Sequence, residues 1–510
     1  MNVPLTPLDF LERARRYYGP LDAVVDGDRR LTYAEFVSRC HRLAHALRAD
    51  LGLRPGGRVA YLCGNTLELL EAYYGVVLAG GILTPLNVRL GPLELQAILE
   101  DSTASMLFVH PTFRPVAGEL LPRRRVDLDD RYEALLAAQP SRPFEVDPFG
   151  EDDVCELFYT SGTTSLPKGA MLTHRNLATH AIDSALTLGL GHWDVVLHTI
   201  PLFHVNGWGT PHYVTALGAR HVLLERFDAG EVLRLVEAER VTRLSLVPTM
   251  AQAIVDHPDA GAGRRDLSSL LQVTVGGAAS SPELLARLEA LMGCEVMSGY
   301  GLTEASPQLT KAVLLRSHDG LPAEDQRRRH ATTGLPNVGV DLRVFDNDDN
   351  EVPRDAEAVG EICVRSNHVM AGYWNQPAAS DEALRGGWLR TGDLATVDAE
   401  GYVTIVDRAK DIIVSGGENV SSIQVEHVLS SHPAVAEVAV VPMRDEKWGE
   451  VPRAFVSLRQ GSGPVSEREL IDWVRERLAH FKAPKRIDFL PELPKGGTGK
   501  IQKAQLRGHP

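Results

Sequence analysis

Apolar positions recur along this chain with two different periods. Phe36, Cys40, Leu43 and Leu47 fall at helical spacing behind Thr32-Tyr-Ala-Glu35, which has the form of a capping box, so a helix with one buried face is expected to start there. A Pro-Gly-Gly turn separates it from the short apolar run 59–63, read as a strand. A second helical segment covers about 67–78, stops at Gly80-Gly81 and gives way to extended chain at 82–86. Helices and strands in alternation imply a layered, largely parallel α/β body.

Further runs obey the same logic with interruptions. Residues 113–153, richer in Pro, Arg and Asp, read as a loop-rich connection with one short helix at about 130–138, and Arg123-Arg124-Arg125 reads as a solvated charge cluster. Residues 243–248 and 272–280 look like buried strands running into turns, whereas 311–330 and 345–358 are polar enough to read as solvated loops. From Gly360 the strand-like segments shorten and glycines recur, which suggests antiparallel hairpins or a small barrel. Beyond residue 411 a helix at 423–430, strands at 435–441 and 454–458, and a capping box at Ser466 to Glu469 describe a compact α+β module. The expected fold is therefore α/β: a large N-terminal domain of layered α/β subdomains with a small β-barrel-like subdomain, and a small mobile α+β C-terminal domain. The boundaries are set at 1–407, a hinge at 408–411, and 412–510.

Composition narrows the function. A net charge of -14 argues against nucleic acid as a partner, since phosphate backbones need a basic face. The cysteines, Cys40, Cys63, Cys155, Cys294 and Cys363, are far apart and suit neither a disulfide framework nor a zinc site. No N-terminal stretch has the apolar core of a signal peptide, and the run 72–83 is too short to span a bilayer, so a cytoplasmic enzyme is expected.

The chemistry concentrates in a few strings. Residues 159–169 read Y-T-S-G-T-T-S-L-P-K-G, placed to form strand, flexible polar loop, then a helix after Thr173. Backbone N–H groups, hydroxyls and a mobile lysine are the set that surrounds polyphosphate oxygens. It is not a Walker A loop, because Lys168 precedes Gly169 and Ala170 comes next. Residues 199–208, T-I-P-L-F-H-V-N-G-W, read as extended chain breaking into a glycine-punctuated bend. Gly276-Gly277-Ala278-Ala279 leaves bare backbone at a strand end, and S-G-Y-G-L-T-E-A-S at 298–306 supplies a ring, a hydroxyl and a carboxylate.

The string at 159–169 resembles the phosphate loop of the adenylate-forming superfamily, which comprises acyl- and aryl-CoA synthetases, adenylation domains of peptide synthetases and firefly luciferase; Ser165 stands where that family usually has glycine. Y-G-L-T-E at 300–304, T-G-D-L around Asp393, V-D-R-A-K-D around Arg408 and the glycine-tethered Lys500 match further motifs of that superfamily in the same order. The resemblance implies a role for each. Thr160, Ser161, Gly162, Thr163, Thr164 and Lys168 would surround phosphates, while Gly277, Ala278, Ala279 and Tyr300 would hold adenine. Thr303 would touch the α-phosphate, and Glu304 with Thr163 would hold Mg²⁺. Asp393 would accept the ribose hydroxyls beside Arg408. His204, Trp208, Gly276 and Gly301 would border the acyl pocket, Lys410 would be the hinge, and Ser415, Gly416, Gly417 and Glu418 would line the CoA path. Lys168, Thr303, Glu304 and Lys500 form the implied catalytic set.

The resemblance thus implies an ATP-dependent carboxylic acid–CoA ligase acting through an acyl-adenylate. Amino-acid-activating relatives place an aspartate where this chain reads His204-Val-Asn-Gly-Trp208, so a neutral acid is expected, and Trp208 favours a medium or long alkyl chain. Three alternatives stay open: a stand-alone adenylation enzyme loading a carrier protein, with no carrier fused in cis since ten residues come after Lys500; a luciferase-like oxygenase; and an ATP-binding scaffold without catalysis. The oligomeric state is open, with a homodimer one expectation.

Overall fold

The computed structural model describes residues 3–118, 120, 122, 124–160, 167–261, 263–416, 418–459, 461–496 and 501–509. The capping box at Thr32 forms as expected: its hydroxyl accepts from the Glu35 N–H, and the Glu35 carboxylate accepts from the Thr32 N–H. The helix Tyr33–Ala49 buries Phe36, Cys40, Leu43 and Leu47 on one face. Every residue of the next helix, Leu67–Leu78, is buried, with Tyr73 and Tyr74 donating to the carbonyls of Leu202 and Pro211. Its two carboxylates, Glu68 and Glu71, are buried too and are paired with Arg29 and Arg39, so the helix belongs in a core.

The first sheet has seven strands in the order Gly372–Tyr373, Lys168–Thr173, Val154–Thr160, Ile82–Pro85, Arg58–Leu62, Met106–Val109 and Arg125–Asp127. The second has nine, in the order Leu335–Pro336, Gln308–Lys311, Glu295–Gly301, Gln272–Gly276, Arg243–Leu246, Val195–His198, Arg220–Leu223, Asp22–Asp26 and Arg29–Thr32. Its inner strands run parallel and its edges antiparallel. Because side chains alternate along a strand, the two faces of this sheet differ. Leu244, Leu246, Val273, Val275 and Val296 pack into an apolar cluster with Val232, Leu233, Ala251, Leu285 and Leu288 of the helices behind them. The other face carries His198, Ser245 and Thr274 beneath the helices His174–Leu188 and Val205–Leu217; Thr210 of the latter bonds to His198.

Two expectations are corrected. A strand, Lys168–Thr173, intervenes between the phosphate-loop string and the helix, because the chain folds back antiparallel on Val154–Thr160 before Thr173 caps His174–Leu188. Residues 311–330 are not simply solvated: Lys311 lies in a strand paired on both sides, with Gly299 and Leu335, and is 1% exposed. Ala323–His330 is a helix, and His318 and His330 are buried. Polarity reports average exposure, and sheet pairing overrides it here. In the run read as a solvated charge cluster, Arg124 is exposed and Arg125 half-buried, and they donate to the carbonyls of Leu51 and Ala117.

The small β subdomain is a four-stranded antiparallel sheet, Val340–Phe345, Gly360–Ser366, Leu389–Val397 and Val403–Arg408. After residues 409–412 the chain enters a five-stranded sheet, with the helices Ser422–Ser430 and Glu467–Arg475 on its core. Ser466 caps the second of these as its motif implied. The expected loop at 415–420 is part of a hairpin, Ile413–Ser415 paired with Glu418–Val420. Among the described residues no helix is long and apolar enough to cross a membrane, and the five cysteines are free.

Candidate active site

The end of the strand Glu295–Gly301 and the turn Thr303–Ala305 lie where all three N-terminal sheets meet. On one side, Tyr300 donates to Asp393 Oδ2 at 2.7 Å, and Arg408 Nε stands 3.3 Å from Asp393 Oδ1. Asp393 and Arg408 are opposite each other in the antiparallel ladder, which fixes their separation. Burial, and then the Asp393 carboxylate, push the Tyr300 phenol well above its ordinary value, so it stays protonated and donates.

On the other side, Tyr373 donates to Glu304 Oε1 at 2.8 Å, and Lys168 Nζ lies 5.0 Å from the centre of the Tyr373 ring. Tyr373 reaches this position because Gly372–Tyr373 pairs with Lys168–Thr173. Burial raises the Tyr373 phenol, with Glu304 adding to it. The motifs of the sequence do not include Tyr373. The signal available is G-Y-W at 372–374, an aromatic pair behind a glycine that breaks a polar run.

Thr160 and Lys168 face each other at the open end of their hairpin, with Thr160 Oγ1 3.4 Å from the Lys168 carbonyl. Ser161, Gly162, Thr163, Thr164 and Ser165 between them fall outside the described residues, as do Gly417 and Lys500. Thr303 is buried. Past Gly276 the strand opens into Gly277, at φ +80°, and the exposed Ala278 and Ala279, a shelf poor in side chains. A Cβ at Gly276 would stand 2.7 Å from the Gly299 carbonyl and 3.1 Å from the Trp208 ring, so only glycine fits there. At Gly301 the constraint is the Pro307 carbonyl, which a Cβ would overlap.

The bend expected within 199–208 comes directly after His204. Val205, Asn206, Gly207, Trp208 and Gly209 all have positive φ, from 35° to 84°, and form a left-handed turn before the rest of the helix to Leu217. Such backbone costs L-residues about 1–2 kcal/mol each and must be held by its surroundings. Asn206 Nδ2 donates to Glu156 Oε2 at 3.0 Å, and His212 Nε2 lies 2.8 Å from Glu156 Oε1. Glu156 is wholly buried on the strand that leads to Thr160. The turn leaves Trp208 half-buried, facing Gly276.

Lys410 is exposed, and its carbonyl accepts from Arg507 at 2.8 Å. Ser415, Gly416 and Glu418 sit on their own hairpin, where the Gly416 N–H donates to the Trp448 carbonyl; no hydrogen bond among the described residues ties them to Tyr300, Asp393 or Lys168.

Residues 10–374 match the family model described as AMP-binding enzyme, and residues 424–500 match the AMP-binding enzyme C-terminal domain. The chain belongs to the adenylate-forming superfamily, in its acyl-CoA synthetase branch. It is similar to a feruloyl-CoA synthase of Amycolatopsis sp, 41% identical with 95% of each chain covered. It is also similar to 4-hydroxybutyrate–CoA ligase 2 of Metallosphaera sedula, 36% identical with 99% of this chain and 94% of that one covered. Among solved structures, an anthranilate CoA ligase in complex with anthranoyl-AMP superimposes with a TM-score of 0.90 at 28% identity, covering 99% of this chain and 97% of that one.

In this acyl-CoA synthetase the donor set suits Mg²⁺ better than a tightly caged ion. Among the described residues no three His, Cys, Asp or Glu side chains are gathered as a metal cage, and Tyr373 binds one of the two oxygens of Glu304. Mg²⁺ keeps several waters and takes phosphate oxygens, so one carboxylate beside a polyphosphate meets its needs. The synthetase also has a cavity of ≈ 200 Å³ under Leu335, Leu342 and Val403, which none of the residues of the two clusters lines.

Proposed function

We propose that this synthetase joins a carboxylic acid to CoA through an acyl-adenylate, releasing pyrophosphate and AMP. One observation carries the proposal: Tyr300 with Asp393 and Arg408, and Glu304 with Tyr373 and Lys168, stand on either side of a single turn. The first cluster suits a nucleoside. Asp393 accepts the ribose hydroxyls beside Arg408, and the ring of Tyr300 and the bare shelf Gly277 to Ala279 border the base. The second suits a triphosphate, gripped by Lys168, Thr160 and the loop residues Ser161 to Thr164, with Thr303 at the α-phosphate. Glu304 and Thr163 would hold Mg²⁺, which when bound offsets phosphate charge.

Two anions must meet in the first step. A carboxylate oxygen of the acid attacks the α-phosphorus, the bond to the bridging oxygen breaks, and pyrophosphate leaves with that electron pair. Lys168 and Lys500 lower the cost by facing the oxygens on which charge accumulates. In the second step the CoA sulfur attacks the acyl carbon, AMP leaves, and the thiol proton passes to solvent. Ser415 to Glu418 line the thiol path once the C-terminal domain, 412–510, turns on the body, 1–407, about the hinge 408–411 at Lys410.

The acid is read as neutral at its α-carbon, because residues 204–208 hold no carboxylate to pair an ammonium group. Trp208 against Gly276 supports an alkyl stem of medium or greater length passing His204 and Gly301. Free, mostly buried cysteines support a reducing, cytoplasmic setting.

Exchange of labelled pyrophosphate into ATP should depend on an added acid. Lys500→Ala should slow that exchange by about 10²- to 10³-fold while still passing acyl groups from supplied acyl-AMP to CoA. Exchange with no acid tried, or loss of both half-reactions in the variant, would overturn the proposal.

A further inference from the structure

The sheet face beneath Trp208 is polar at the depth where an alkyl tail would come to rest. Gly276 and Gly299 stand side by side without side chains. Around this bare patch, positions for a Cβ lie 3.1 Å from the Trp208 ring, 3.4 Å from the Gln308 amide nitrogen and 3.4 Å from the Thr274 methyl. Lys311 pairs with Gly299 and sends its ammonium across that strand to donate to Thr274 Oγ1. Beyond Thr274 a cavity of ≈ 20 Å³, room for about one water, continues between Tyr213, Ser245, Gln272 and Arg243.

Among the described residues no carboxylate stands in ion-pair contact with Lys311, and Glu295 acts on it from a longer range. Its ammonium has three N–H groups, and Thr274 is its one acceptor among those residues. The neighbouring carboxylate, Glu295, accepts from Gln272 at 2.9 Å on one oxygen and has His330 Nε2 3.5 Å from the other, while the nearby Arg243 is held by Asp194 at 3.1 Å. Burial, with Arg243 adding and Glu295 opposing, lowers the Lys311 ammonium to about 7. With one hydrogen-bond acceptor, the buried Lys311 amine leaves N–H groups unmet, and an oxygen with a lone pair or a negative charge would satisfy them.

We infer that Lys311 receives the far end of the acid: the stem passes Trp208 over Gly276 and Gly299 and ends in an oxygen, a hydroxyl or a second carboxylate, which accepts from Lys311. This rests on the proposed ligase activity and narrows its substrate class. Thr274 and Gln308 then act as neighbours of the terminal oxygen, and Lys311 is a specificity residue, remote from the bond that forms.

The test compares kcat/KM for hexanoate, ω-hydroxyhexanoate and adipate in AMP release, for the native enzyme, Lys311→Met and Thr274→Val. The native enzyme should favour at least one oxygen-ended acid over hexanoate by tenfold or more, and adipate against the hydroxy acid separates the two ends. Lys311→Met should invert the preference, with hexanoate gaining. Should Lys311→Met fail to fold, the native preference and its weakening in Thr274→Val decide. Preference of the native enzyme for hexanoate, or an unchanged ratio in folded Lys311→Met, overturns the inference and leaves the ligase standing. Acid-dependent pyrophosphate exchange with none of the three, and none with any other acid, overturns both.

Discussion

A lysine with its ammonium near pH 7 changes charge over the range in which such enzymes are assayed. The sign is fixed by its depression from the ordinary 10.5: Lys311 is charged below about 7 and neutral above it. Because kcat/KM reports groups of the free enzyme, the ratio of adipate to hexanoate should fall as pH rises from 7 to 9, by up to about tenfold per unit. Hexanoate in the same buffers cancels the titration of groups common to both reactions, and Lys311→Met should flatten the ratio. A ratio independent of pH in the native enzyme would deny Lys311 contact with the second carboxylate. Single residues also show where the sequence is readable. Tyr300, Asp393 and Arg408 each sit in a motif, and the structure brings them together. Lys311 and Tyr373 do not: a lysine in a polar stretch looks solvated until strand pairing buries it, and a tyrosine gains its meaning from a distant partner, Glu304.

At the scale of elements, the helix Tyr33–Ala49 is legible from its capping box and spacing, and Leu67–Leu78 from its run of apolar residues. The left-handed turn at 205–209 is legible as a glycine-punctuated bend and no further: Gly207, Gly209 and Asn206 accept positive φ, whereas Val205 and Trp208 do not favour it, and Glu156 from another sheet holds the turn through Asn206. Glu156 thus links the strand Val154–Thr160 to the turn that presents Trp208. Glu156→Ala would strand the buried His212 and Asn206 without their acceptor. We expect a loss of about 2–4 kcal/mol in denaturant unfolding and, as the turn relaxes toward right-handed backbone, a shift in the relative kcat/KM for acids of different length. Glu156→Gln, which keeps an acceptor for Asn206, should lose less on both counts. Unfolding unchanged in Glu156→Ala would mean that the turn is held by its other neighbours, such as His180 against Gly209.

For the whole molecule the decisive question is how the C-terminal domain meets the body. The contacts across the boundary are few and partly exposed. Asp407 accepts from the Ser422 N–H at 2.6 Å, the Ser421 hydroxyl donates to the Val406 carbonyl, and Arg459 pairs with Asp256 at 2.8 Å. Asp256 also binds Arg287, so the interdomain pair shares its carboxylate. The exposed Arg459–Asp256 pair contributes about 0–1 kcal/mol, whereas the buried Asp407–Ser422 bond lies next to the proposed hinge and is the contact there that a second arrangement would have to keep or replace. The turning point proposed at 408–411 can be examined without disturbing either half, because the Lys410 N–H donates to no carbonyl among the described residues, whereas Ala409 and Asp411 donate to Gly392 and Arg408. Proline at 410 therefore removes no hydrogen bond of its own; it fixes φ near about −65° and, as the third residue of the turn that Asp411 closes on Arg408, also restricts Ala409. Lys410→Pro should leave acid-dependent pyrophosphate exchange within about threefold of the native rate and slow thioester formation from supplied acyl-AMP by about 10²-fold or more, a barrier increase of about 2.7 kcal/mol. Loss of exchange together with thioester formation would point to a folding defect at Arg408 and Asp393, visible as a lower melting temperature. Thioester formation at the native rate would remove Lys410 as the pivot and direct attention to the residues that flank it, Ala409 and Asp411.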